Sequence, residues 1–153
     1  MLLICHTAIV KDVVAVGIAI QPLGSVDELE YDLFETRDIT TGQTKVELTP
    51  DATVIFGGIL YGRDLRLLVL LDLLFRTAAG AGVISHWLTE RLKGERILQI
   101  LIDGRQFWAE KDAGTGAIKF VEGPIPLGVL DEEKIEEKIK EILAEKLRVA
   151  RVQ

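Results

Sequence analysis

Asp72 and Arg76 stand four residues apart inside LLVLLDLLFRTAAGAGVISHWL, residues 67–88, the most apolar stretch of the chain. On a helix, an acid and a base at that spacing share one face. The neighbouring cation stabilises the ionised carboxylate, which favours a structural ion pair over a neutral acid at pH 7. With about 100° per residue, Leu67, Leu68, Leu70, Leu71, Leu74 and Phe75 fill one sector free of charge. Leu65, Val69, Asp72, Leu73 and Arg76 fall on the other side. That second side is expected to be an interface, covered by another element or by a second copy across a two-fold axis.

The alternative chemistry is ligand binding. Gly57, Gly58, Gly62 and Arg63 lie in a turn, residues 57–64, between an expected strand and an expected helix. A helix N-terminus there would offer backbone N–H groups to an anion, with Asp72 and Arg76 as further anchors. No Gly-Lys-Ser/Thr follows and no complete GxGxxG is present, so neither standard nucleotide loop is predicted.

The remaining candidates are weaker. Cys5 and His6 are adjacent in an apolar run read as a strand, where neighbours point to opposite faces, so they form no direct dyad. His86 falls on the polar side of its helix with Glu90 one turn on, the pattern of a surface pair, and with two histidines in the chain no metal site is expected. Glu28, Glu30 and Asp32, with Asp27 and Glu35 nearby, read as the acidic face of a solvated edge strand, with a cation or a basic partner as the second reading. Arg91, Lys93, Arg96, Arg148 and Arg151 would make a basic patch only if the fold gathered them, with Phe107 and Trp108 on opposite faces of a strand. No catalytic residue and no cofactor is predicted.

The elements that must position these residues follow from periodicity and turn chemistry. Residues 2–10 and 13–21 read as a hairpin around Lys11-Asp12, and Pro22, Gly24 and Ser25 end the second strand. Residues 28–33 alternate acid with apolar residue, which predicts a third strand. Strands are expected at 45–48 and 52–56, then a helix over about 64–79 that either bends or breaks at Gly80 and Gly82 before continuing over 83–93. Asp103-Gly104 predicts a type I′ hairpin joining 97–102 to 105–110, with a third meander strand at 117–121. Asp131 is a candidate N-cap for a final helix with Glu132 and Glu133 in its first turn. Ile135, Ile139, Ile142, Leu143 and Leu147 line one side of that helix. The expected class is α+β: one domain, 1–153, with a mainly antiparallel sheet packed against a long central helical region and a C-terminal helix.

Composition bounds the function. A net charge of -6 opposes a broad polyphosphate-binding surface, so nucleic acid is not an expected partner. One cysteine excludes an internal disulfide framework and fits a reducing, cytoplasmic setting. The apolar run at the N-terminus has no basic segment before it, which argues against a secretory signal. Arg66, Asp72 and Arg76 would each cost about 2.5–3.5 kcal/mol at a bilayer centre, so residues 67–88 are not expected to span a membrane. Asparagine is absent and the last helix is dense in Glu, Lys and Ile, the bias of heat-adapted proteins. The expected function is non-enzymatic binding or assembly by a thermostable homo-oligomer, with a further protein partner as a secondary expectation; no motif assigns a family.

Overall fold

The computed structural model describes residues 13–61, 67–94, 96–110, 125–127 and 131–152. Among these residues six strands form one antiparallel sheet in the order β2-β3-β4-β1-β5-β6. They are β1 Val14–Pro22, β2 Lys45–Thr49, β3 Ala52–Tyr61, β4 Leu67–Phe75, β5 Ile97–Asp103 and β6 Ile125–Leu127. The helices are α1 Val26–Phe34, α2 Gly80–Arg91, α3 Phe107–Glu110 and α4 Glu132–Val152. The α+β class expected from the sequence is the class observed.

β1 and β4 lie side by side at the centre, pairing Val14 with Phe75 through Ile20 with Val69. Side chains alternate across a strand, so these two strands present two different faces. On the first, Val14, Val16, Ile18 and Ile20 of β1 meet Val69, Leu71, Leu73 and Phe75 of β4. Leu29 and Leu33 of α1, Ile84 and Leu88 of α2, and Ile135, Ile139 and Leu143 of α4 close over them to form the main core. A smaller cluster on the second face joins Ala19, Leu68 and Leu70 to Phe107.

Three expected elements are corrected. The stretch 67–75 is not helical. It is strand β4, and all its residues except Leu67 and Leu74 are buried. A strand covered on both faces has no reason to alternate apolar with polar residues, so its leucine run matched a helical sector equally well. Residues 28–33 belong to α1, not to a strand. Ser25 caps that helix by accepting the N–H groups of Asp27 and Glu28 at 3.2 and 3.4 Å. Asp103-Gly104 does not turn a hairpin either: Asp103 Oδ1 accepts the Arg105 N–H at 2.9 Å, and the chain enters the short helix α3.

Other expectations hold. β1, β2 and β5 stand where strands were predicted, and β3 continues past 56 through a bulge between Phe56 and Gly58. α2 begins at Gly80, directly after the 76–79 turn, so Gly80 and Gly82 neither bend nor divide a longer helix. Asp131 Oδ1 accepts the Glu133 and Lys134 N–H groups and opens α4 as expected. Glu136 and Lys140 pair at 2.6 Å along that helix. The predicted strands at 2–10 and 117–121 lie outside the described residues.

Candidate functional site

The second face of the sheet carries two acids beside one glycine. Gly17 on β1 is in register with Asp72 on β4 and with Asp103 on β5, so one backbone position separates the two carboxylates. Both are buried, Asp72 completely. The absence of a side chain at Gly17 makes room for what lies above it. A Cβ there would come within 2.5 Å of both the Arg105 carbonyl and the Phe107 ring. Phe107 therefore seats directly on the sheet, fully buried.

Asp72 holds this segment from below. Its Oδ1 accepts the Phe107 N–H, and its Oδ2 accepts the Trp108 N–H at 2.8 Å. These are the first two N–H groups of α3, which have no partner within a helix. Asp72 thus caps a helix 35 residues further along the chain. Its carboxyl is raised to about 6, because burial drives it up further than the two backbone donors pull it down. Gly57 supplies the space for Oδ2: a Cβ there would stand 2.8 Å from that oxygen.

The crossing is fixed at both ends. Asp103 Oδ1 takes the Arg105 N–H and also stands 3.4 Å from the Arg105 Nε. Lys146 of α4 donates to the carbonyls of Ala15, at 2.8 Å, and Gly104. Beyond Phe107, the Trp108 indole lies over Gly42, whose positive φ of 79° suits glycine and whose missing Cβ leaves the ring its place.

The expected site residues are dispersed by this arrangement. Val69 and Leu73 point into the main core, completely buried, while Asp72 points to the opposite face. Arg76 is exposed beyond the end of β4. Four residues along a strand span about 13 Å, so the Asp72–Arg76 pair expected of a helix does not form. Gly57 and Gly58 sit inside β3 at the bulge, with Gly58 at a φ of 110°, and the next described element is a strand. The helix N-terminus that would have bound an anion is therefore absent among the described residues. Leu65, Gly62 and Arg63 lie outside them, as do Cys5 and His6.

The secondary candidates resolve into local structure. The acids of 27–35 surround a helix: Glu30 is buried, which with Asp27 nearby raises its carboxyl, and Glu35 caps the C-terminus and pairs with Arg91. His86 is exposed, its Nδ1 3.4 Å from Glu132 rather than against Glu90. Among the described residues, no three of His, Cys, Asp and Glu gather as a metal site would require, and no helix is long and apolar enough to cross a membrane. Sequence reasoning missed the role of Gly17 and the capping by Asp72, since both depend on pairing between distant segments.

The chemistry of the site is anchoring. A fully buried carboxylate with both oxygens engaged by backbone N–H groups is placed to hold backbone. Comparison of the chain with family models, curated proteins and solved structures found no match in any of the three.

Proposed function

We propose that this chain is a non-enzymatic binding or assembly protein that self-associates, acts in the cytoplasm and comes from a heat-adapted source. The observation that carries this reading is the use made of Asp72. Its two oxygens are committed to the Phe107 and Trp108 N–H groups. The competing reading, a small ligand-binding module or enzyme, draws on the turn at 57–64 with Asp72 and Arg76 as further anchors, and it has less support because Asp72 is engaged with backbone and lies about four strand residues from Arg76. The single cysteine supports a reducing compartment.

Solution mass tests the reading most directly. Light scattering on the purified chain at tens of micromolar is expected to give a multiple of 16.9 kDa. A monomer across that range overturns self-association.

A further inference from the structure

Within the described sheet, β2 ends the strand order and pairs only with β3. We propose that two copies of this chain join through β2, antiparallel about a two-fold axis at Val46. The two six-stranded sheets then become one continuous sheet. This rests on the assembly reading and names its surface.

The backbone direction follows from the pairing with β3. The Thr44 carbonyl accepts the Phe56 N–H at 2.8 Å, so Thr44 turns its carbonyl toward β3, while its own N–H goes to the Thr40 carbonyl. In an antiparallel ladder alternate residues do the same. Val46 therefore faces β3, while Lys45 and Glu47 direct their N–H and C=O groups to the open edge. A second β2 can bond to these groups in three simple two-fold registers. Centring on Lys45 sets lysine against lysine, and centring on Glu47 sets glutamate against glutamate; both oppose like charges, which destabilises cross-strand pairs. Centring on Val46 sets each Lys45 against the other copy's Glu47. That register alone satisfies the charges, and it makes four backbone hydrogen bonds.

Among the described residues Lys45 and Glu47 of one copy pair with each other, at 3.6 Å, with both side chains more than half exposed. Such charges also discourage unwanted edge pairing. Here their alternation is self-complementary, which selects a second copy over an arbitrary strand.

Five residues of strand are too little for a stable dimer, which typically buries about 1,200–2,000 Å². The surface beside β2 supplies more. A shallow depression of about 500 Å³ is lined by Leu48 of β2 and by Val83, His86, Trp87, Glu90 and Arg91 of α2. Val83 is exposed, Trp87 is half-buried, and the Trp87 indole N–H is buried without a hydrogen bond. The axis at Val46 runs normal to the sheet, so both α2 helices lie on the same side of the joined sheet and their apolar depressions flank the seam.

Charge exchange and cross-linking test this together. Glu47→Lys makes the edge wholly basic and Lys45→Glu makes it wholly acidic, at exposed positions that leave the fold intact. Each variant alone is expected to dissociate roughly tenfold or more readily, and an equimolar mixture is expected to recover the dimer. In a Cys5→Ser background, Val46→Cys faces its own copy at about 4.5 Å between Cα atoms, within disulfide reach, and should cross-link on mild oxidation. Cross-linking through Glu47→Cys in place of Val46→Cys overturns the register. An oligomer that neither charge variant weakens and neither cysteine cross-links overturns the β2 surface and leaves the assembly reading standing. A monomeric unsubstituted chain overturns both.

Discussion

Asp72 holds a charge where charge is unfavourable, and its titration reports that directly. Its carboxyl, raised to about 6 by burial, binds a proton more tightly in the folded protein than in the unfolded chain, where aspartate titrates near 4. Folding therefore takes up a proton between about pH 4 and 6. The contribution of Asp72 to stability is most favourable below about pH 4 and declines as pH rises through about 6. The difference between a carboxyl titrating near 4 and one titrating at about 6 corresponds to on the order of 3 kcal/mol. Asp72→Asn has no such titration, so the unfolding free energy of the unsubstituted protein relative to this variant should rise by about that amount from pH 7 to pH 4. Urea unfolding at several pH values measures the gap, and a constant gap would show that the carboxyl does not titrate differently on folding. Gly17 makes a second test of the same crossing. Gly17→Ala drives a methyl group into Phe107 and the Arg105 carbonyl, an overpacking expected to cost about 1–3 kcal/mol.

At the scale of elements, legibility followed the range of the interactions that form each one. Helix α1 could have been found from its own residues, because Ser25 followed by Glu28 has the spacing of a capping box. Acid–apolar alternation over six residues pointed instead to a strand. α4 carried its cap, its acidic first turn and its apolar side within one segment, and the structure follows them. β4 could not be read this way: both its faces are buried, and nothing local separates a doubly covered strand from a buried helix. α3 depended on the Asp72 carboxylate, and a hairpin was the better local guess for Asp103-Gly104. The two kinds of element should respond differently to substitution. Ser25→Ala removes an exposed local cap and is expected to cost about 1 kcal/mol, whereas Ile139→Ala empties a fully buried position under the sheet and is expected to cost about 2–5 kcal/mol. Chemical denaturation of the two variants checks this order, and equal losses would contradict the packing described.

The whole molecule draws its stability from the central β1–β4 pair and its two covered faces, not from its surface charges. The described ion pairs are mostly isolated and exposed: Lys45–Glu47, His86–Glu132, and Lys138–Glu141 through the glutamate. Pairs of this kind contribute roughly 0–1 kcal/mol each and are screened by salt. The absence of asparagine and the charge-dense α4 suggest adaptation to heat, and many heat-adapted proteins rely on linked ion-pair networks. The pairs Lys45–Glu47, His86–Glu132 and Lys138–Glu141 share no residue with one another, so the apolar core is the expected source of this chain's heat resistance. A thermal midpoint above the range of about 45–65 °C usual for ordinary domains is expected. Moving from low salt to 1 M sodium chloride should shift it by only a few degrees, because exposed pairs lose little when screened and apolar burial is not weakened by screening. Calorimetry or circular dichroism at both salt concentrations gives the answer. A midpoint inside the ordinary range would remove the argument for a heat-adapted source, and a large fall in 1 M salt would place the stability in charge pairs instead of the β1–β4 core.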